Sequence, residues 1–109
     1  METKTVAAYC RVDRGACPEV RRNALEMQRK KLEQYAQVKE LHIVKYYEDD
    51  GFSGYDPERP ALLQMIKDYE AGVITCVLVV NRDRLYRGGR QNWRLPVISL
   101  NALEKGFER

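Results

Sequence analysis

Arginine residues lie at the ends of two separate apolar segments of this chain. The first segment, residues 5–12, contains Arg11 near its end, and Asp13 follows it directly. The second segment is residues 73–80. Guanidinium groups bind phosphate oxygens through paired hydrogen bonds, and they stabilise the charge that develops during phosphoryl transfer. The spacing therefore predicts a site that binds or attacks a phosphate group. The charged residues that follow the second segment are Arg82, Asp83, Arg84 and Arg87.

The two apolar segments are predicted to be strands of a parallel sheet covered on both faces, because such strands are apolar almost throughout. Their carboxyl ends then meet at one edge of the sheet, where open α/β folds place their ligand sites. Helical periodicity and the positions of glycine and proline divide the chain into a β-α-β-α-β-α order. The other expected elements are a helix 20–39, a strand 41–47, a polar loop 49–56, a helix 60–72 and a third helix of about 97–105 that ends at Gly106.

The chain has 109 residues and a formal net charge of +3. That length suffices for one domain with its own core. The three cysteines have unrelated spacings and are expected to be reduced thiols, and no apolar run reaches the length of a membrane span, so we predict a cytoplasmic protein. The arginine clusters suit phosphate recognition, although a solvated basic surface stays open as an alternative.

Four short motifs follow one another along the chain. They are Tyr9-Cys10-Arg11-Val12, Leu25-Glu26-Met27-Gln28, Asp49-Asp50-Gly51-Phe52-Ser53-Gly54 with Arg59-Pro60, and Asp83-Arg84-Leu85-Tyr86-Arg87. Over about residues 4–106 this series resembles the catalytic domain of the serine recombinases, the resolvase/invertase family, and four ordered motifs are more specific than any single one. The resemblance implies a three-layer, resolvase-like α/β domain with a mostly parallel sheet flanked by helices.

In that family a serine directly after the Arg-Val pair attacks a DNA phosphodiester, giving a 5′-phosphoserine link and a free 3′ hydroxyl. The resemblance therefore implies DNA as the partner and arginines that stabilise the phosphorane, with no metal ion and no other cofactor. Asp13 occupies the position of the nucleophilic serine. The arginines implied to activate the phosphate are Arg11, Arg59, Arg84 and Arg87, and the implied supporting residues are Gln28, Ser53 and Asp83.

A carboxylate at position 13 repels a phosphodiester and is expected to form salt bridges with the arginines meant for the phosphate. Attack by the carboxylate itself would give an acyl phosphate that is labile to water, which defeats reversible strand exchange. We therefore expect a site-specific DNA recombinase domain whose cleavage chemistry is impaired. Ser53 is a weaker candidate hydroxyl, because its motif places it in a supporting loop.

Two other functions stay open at the level of sequence. One is a non-catalytic relative that binds DNA phosphate or a recombinase partner. The other is a metal-dependent phosphotransfer domain in which Asp13, Asp49, Asp50 and Asp56 would meet around Mg²⁺. Because members of the family continue into a dimer-forming helix and a DNA-binding domain, residues 1–109 are expected to form a single catalytic domain that stops before both. A homodimer or a full-length recombinase is the partner that the resemblance implies.

Overall fold

The computed structural model describes residues 5–53, 55–56, 58–85 and 95–100. Within this part of the chain, four strands form one sheet in the order β2-β1-β3-β4, and every described pair of neighbours is parallel. The predicted α/β class with a parallel sheet is confirmed. The elements are β1 (Val6–Val12), α1 (Pro18–Val38), β2 (Ile43–Asp50), α2 (Pro60–Glu70), β3 (Cys76–Val79), a 3₁₀ helix (Arg82–Arg84) and β4 (Val97–Ser99).

Strand β1 is the buried centre of the domain, since it lies between β2 and β3 and all seven of its residues are buried. Successive side chains of a strand point to opposite faces of the sheet. Ala7 and Tyr9 accordingly pack with Leu62 and Met65 of α2 on one face. On the other face, alternate residues of β1 pack with α1, and the described core there includes Val6, Ala8, Cys10, Leu25, Leu32 and Ala36. The predicted three layers are therefore present, with one helix on each side of the sheet.

Both helices begin with a proline, Pro18 in α1 and Pro60 in α2. Proline suits the first helical position, because its missing N–H would have no partner inside the helix there. Helix α2 ends at Glu70, and Gly72 follows with φ of 83°, a left-handed conformation that glycine adopts without the strain of a β-carbon. The predicted terminating role of Gly72 is confirmed. Neither helix is long and apolar enough to cross a membrane, among the residues that the structure describes.

The third helix was expected to begin at about residue 97, and this expectation is wrong at its start. Val97–Ser99 is strand β4, which pairs in parallel with Val77–Val79. The carbonyl of Pro96 accepts a hydrogen bond of 3.0 Å from the N–H of Val77, which extends the contact by one residue. β-branched side chains favour an extended backbone, and here a neighbouring strand is available to pair with it. Residues 101–105 and Gly106 lie outside the described residues.

Strand β2 lies further along the chain than predicted. It begins at Ile43 instead of Leu41 and continues through Asp50 instead of ending at Tyr47, so that Asp49 and Asp50 belong to the sheet and not to the loop that follows it. Their backbone pairs with Arg11 and Val12 of β1. This extension places the Asp49 carboxylate beside the carboxyl end of β1, where the candidate site lies.

Candidate active site

Arg11 lies at the carboxyl end of β1, and its side chain is completely buried. Its Nε donates a hydrogen bond of 2.8 Å to the carbonyl of Arg84, which follows β3. Its Nη1 donates a hydrogen bond of 2.9 Å to the carbonyl of Phe52, which follows β2, and also binds the carboxylate of Asp13. The guanidinium of Arg11 is therefore fixed by the segments that follow three parallel strands.

Gln28 of α1 fixes the backbone of Arg11. Its side-chain Oε1 accepts a hydrogen bond of 3.2 Å from the N–H of Arg11, and its Nε2 donates one of 2.9 Å to the carbonyl of Arg11. Nη1 of Arg84 donates a further hydrogen bond of 3.0 Å to the same carbonyl. Gln28 thus binds both backbone groups of Arg11 and ties the end of β1 to α1.

Arg59, the residue before α2, is 2% exposed and enters the same cluster from the other face of the sheet. Its Nε donates a hydrogen bond of 2.8 Å to the carbonyl of Asp56, and its Nη1 donates one of 3.2 Å to the carbonyl of Arg84. Its Nη2 donates to the carbonyl of Leu85. The carbonyl of Arg84 therefore accepts hydrogen bonds from both Arg11 and Arg59, and it is the point at which the arginines converge.

Two residues of the site, Tyr9 and Asp49, were quoted in the motifs but were not among the site residues that the resemblance implied, and Asp49 was considered only as a Mg²⁺ ligand. The hydroxyl of Tyr9 donates a hydrogen bond of 2.8 Å to the carboxylate of Asp49 and accepts one of 3.1 Å from Nη1 of Arg59. Asp49 is 2% exposed. Its carboxylate also accepts hydrogen bonds of 2.9 Å from the N–H of Ala61 and 3.0 Å from the N–H of Leu62. Its carboxylate caps the first turn of α2, so it fixes both the helix and Arg59.

One sequence signal could have identified Tyr9. It lies two residues before Arg11 on β1, and residues two apart on a strand point to the same face. Asp49 carries a weaker signal, because the donors that it binds lie on the backbone of α2, more than ten residues further along the chain. Only the folded arrangement brings them together.

Burial and neighbouring charges shift the pKa values of two groups in the cluster. Burial lowers the pKa of Arg11, the carboxylate of Asp13 opposes that change, and the charges of Arg84 and Arg59 lower it further. The pKa of Tyr9 is raised, mainly because of its burial, so the hydroxyl stays protonated and acts as a donor. Cationic groups that repel one another in a desolvated place are stabilised by an anion. In this structure, the carboxylate of Asp13 contacts Arg11.

The remaining predicted site residues occupy different places. The Asp13 side chain is 45% exposed, so it approaches Arg11 from the solvent side. Ser53 is exposed and directly follows Phe52, whose carbonyl binds Arg11. Its Oγ accepts a hydrogen bond of 3.0 Å from the N–H of Tyr55 within the loop. The backbone of Asp83 lies in the 3₁₀ helix beside Arg84. Arg87 lies outside the described residues.

The four aspartates considered for Mg²⁺ bind other groups. Asp13 binds Arg11 and Asp49 binds Tyr9 and α2, as described above. Asp50 forms an ion pair of 2.7 Å with Arg21, and the carboxylate of Asp56 accepts a hydrogen bond of 2.9 Å from the N–H of Glu58. In the described part of the chain, no group of three or more histidine, cysteine, aspartate or glutamate side chains is placed to hold a metal ion. The geometry therefore gives the metal-dependent alternative no support.

Comparison with known proteins identifies the class to which this arrangement belongs. The family described as "Resolvase, N terminal domain" matches residues 6–96. The chain belongs to this family, and its fold and motifs are those of a serine-recombinase N-terminal catalytic domain, a class that acts in site-specific recombination. A comparison with curated protein sequences found no match.

Solved structures support the same assignment. The N-terminal catalytic domain of TP901-1 integrase is 33% identical, with a TM-score of 0.75 over 91% of this chain and 78% of the other. A resolvase family site-specific recombinase from Streptococcus pneumoniae is 28% identical, with a TM-score of 0.64 over 79% of this chain and 58% of the other. The catalytic domain of ISC1926 TnpA, an IS607-like serine recombinase, has a TM-score of 0.73 over 95% of this chain and 76% of the other. Because it is only 24% identical, it supports the fold alone.

Proposed function

We propose that this chain is the catalytic domain of a site-specific DNA recombinase in which strand cleavage is impaired because Asp13 occupies the position of the nucleophilic serine. The observation that carries the proposal is the contact between Asp13 and the buried guanidinium of Arg11. A serine at this position would remove the anion that contacts that guanidinium and would supply a hydroxyl to attack a DNA phosphate. The aspartate supplies a competing anion instead.

Three physical effects act against cleavage by the aspartate. Its negative charge repels a phosphodiester at a distance of a few ångströms. Its carboxylate binds Arg11, one of the groups assigned to the phosphate. Attack by a carboxylate oxygen would also give an acyl phosphate, which water hydrolyses before the DNA hydroxyl can return to it. The first two effects weaken binding of the scissile phosphate, and the third prevents completion of strand exchange.

The proposed roles follow from where each side chain lies. Arg11 and Arg59, which both bind the Arg84 carbonyl, and Arg84, whose side chain binds the Arg11 carbonyl, would bind the scissile phosphate and stabilise the phosphorane. Gln28 would hold the Arg11 backbone in place. By family resemblance, Arg87 would complete the set of arginines, and Ser53 and Asp83 would support it. These groups require no metal ion, because phosphoryl transfer depends largely on positioning and charge stabilisation.

A second function is favoured by the same contact. If Asp13 abolishes cleavage entirely, the cationic cluster can still bind DNA phosphate, and the domain can still associate with an active recombinase or with a second copy of itself. Such a chain would act as a non-catalytic DNA-binding or recombinase-binding partner. The two functions differ in one respect, which is whether a hydroxyl placed at position 13 restores cleavage.

The test is covalent attachment to nicked suicide duplexes, analysed on denaturing gels. The native chain, Asp13→Ser and Asp13→Ala would each be fused to a heterologous DNA-binding domain, and Asp13→Ala is the matched control because it removes the carboxylate without supplying a nucleophile. We expect an adduct from Asp13→Ser only, in which an Oγ–P bond forms, the P–O3′ bond breaks and the proton passes to the 3′ oxygen. An adduct from the native chain would contradict impairment. No adduct from any of the three would favour the non-catalytic function.

A further inference from the structure

A groove of about 370 Å³ opens beside the candidate active site, between α1 and the segment that follows β3. Gln28 and Lys31 line it from α1, and Asn81 and Arg84 line it from the opposite side. All four side chains carry hydrogen-bond donors, and two of them are cationic. Its volume lies at the small end of the range for ligand sites, which suits one unit of an extended polymer better than a large compact ligand.

The groove is continuous with the site described above. Gln28 and Arg84 both bind the carbonyl of Arg11, and both also line the groove. Val12, the residue directly before Asp13, lies in the groove as well. The groove therefore shares Gln28 and Arg84 with the cluster around Arg11 and adjoins position 13.

Charge distinguishes this groove from a second one of similar volume, about 380 Å³, on another side of α1. The second groove is lined by three carboxylates, Glu26, Glu33 and Glu48, together with basic residues. The groove beside the active site has no acidic residue among its described lining residues. Three cations, Arg22, Arg29 and Lys30, balance the carboxylates of the second groove, whereas the described lining of the first groove is net positive, so a phosphodiester is attracted more strongly to the first.

Apolar residues also line the groove. They include Ala24, Met27 and Val80, and Met27 is 62% exposed. An exposed apolar side chain beside cationic donors suits a ligand that alternates apolar and anionic parts. The sugar–phosphate backbone of DNA has this alternation, because deoxyribose carbons separate its charged phosphates.

We propose that this groove binds the DNA backbone next to the scissile phosphate, with Lys31 and Asn81 contacting the flanking phosphate and Met27 contacting the sugar. Lys31 lies one helical turn from Gln28, so their β-carbons are about 5–6 Å apart on one side of α1. The groove therefore presents a second phosphate contact one step away from the first. This inference rests on the proposed function, because it assumes that a phosphate of DNA binds at Arg11.

The test compares two adjacent lysines of α1 in the full chain carrying Asp13→Ser. Lys31→Gln removes the cation in the groove, whereas Lys30→Gln removes a cation that lies at the second groove. Binding to a short fluorescent duplex is measured by anisotropy over a range of salt concentrations. We expect Lys31→Gln to weaken binding by about threefold and to reduce the slope of log K against log salt by about one, since it removes one phosphate contact. Lys30→Gln should change neither quantity by as much.

A second pair of variants tests the position of the sugar. Met27→Glu places a carboxylate in the groove, and Val20→Glu places one at another exposed apolar position of α1. Met27→Glu should weaken DNA binding by a larger factor than Val20→Glu does. Equal effects within both pairs, with DNA binding still measurable, would overturn the groove assignment and leave the proposed function intact. Absence of measurable DNA binding by both the native chain and Asp13→Ser would overturn this inference, whereas the proposed function is decided separately by adduct formation in the fused proteins.

Discussion

Arg11 and Asp13 are in contact, but only one of them reaches solvent: the arginine side chain has no exposed surface, whereas the aspartate side chain is 45% exposed. The carboxylate thus lies between the buried guanidinium and the solvent from which a DNA phosphate would arrive. Arg11 cannot move away to meet a phosphate elsewhere, because it also binds the carbonyls of Arg84 and Phe52. Any anion that binds Arg11 must therefore compete with Asp13.

This competition predicts different responses of the native chain and Asp13→Ser to sulfate, a tetrahedral dianion. Without sulfate, Asp13→Ser should be less stable by about 1 kcal/mol, because the ion pair that it loses is half exposed. With sulfate at about ten times its Kd, the melting temperature of Asp13→Ser should rise by about 5 °C or more, since an anion then binds the folded cluster. The native chain should respond much less. Tm is measured by circular dichroism against sodium chloride of equal ionic strength.

Asp13→Asn is the matched control for this prediction. It keeps the shape of the side chain and removes its charge, so it should respond to sulfate as Asp13→Ser does. Equal shifts in the native chain and both variants would show that sulfate binds elsewhere, or that Asp13 does not compete for Arg11.

Asp49 is predicted to contribute far more to stability than its neighbour Asp50. Asp49→Ala removes the cap of α2 and leaves the Tyr9 hydroxyl without its acceptor in a buried place, so the free energy of unfolding should fall by about 2–4 kcal/mol. Asp50→Ala removes one partly exposed ion pair with Arg21 and should cost less than about 1 kcal/mol. Urea unfolding measures both values. Equal losses would contradict the capping role of Asp49.

Much of the site could be predicted from the sequence, because one physical rule positions most of it. Arg11 ends one apolar strand and Arg84 follows another, and parallel strands place their carboxyl ends together. The four motifs added Arg59 and Gln28, and the structure brings both of them to Arg11 or to its immediate neighbours. Their catalytic roles remain predictions.

The elements that the sequence did not predict depend on distant partners. Val97–Ser99 is only three residues long, follows a proline and has no measurable periodicity, so its strand conformation depends on pairing with β3. Asp49 was expected in a loop, because aspartates and a glycine dominate residues 49–54, yet its backbone pairs with Arg11 in the sheet. Polar composition described these residues correctly but carried no information about their partners.

The three cysteines are predicted to differ sharply in reactivity. Cys10 and Cys76 are buried in strands, and burial raises the pKa of the Cys10 thiol to about 12, which suppresses the reactive thiolate. Cys17 is exposed in front of α1. A disulfide reagent should therefore modify one thiol rapidly in the native protein and all three in urea, and Cys17→Ser should abolish the rapid phase. Rapid modification of two thiols in the native protein would contradict the described burial.

Asp68 is predicted to make the stability of the domain dependent on acid pH. Its carboxylate accepts hydrogen bonds from Lys45, Tyr47 and Gln64, and these donors, Lys45 first, lower its pKa from the ordinary 3.8 to about 2. Because the folded pKa lies below the unfolded one, the charged carboxylate stabilises the fold above about pH 4, and this contribution is lost as the pH falls towards about 2. Asp68→Asn removes the titrating group.

The measurement is urea unfolding of the native chain and Asp68→Asn at several pH values. The difference in unfolding free energy between the two should be largest above about pH 4 and should shrink progressively towards about pH 2, since protonation then removes the same charge from the native chain. Glu70→Gln, which changes an exposed acidic residue at the end of the same helix, is the control and should leave the acid limb of the native profile nearly unchanged. A difference between the native chain and Asp68→Asn that stays constant over this range would show that the hydrogen bonds of Asp68 do not depend on its charge.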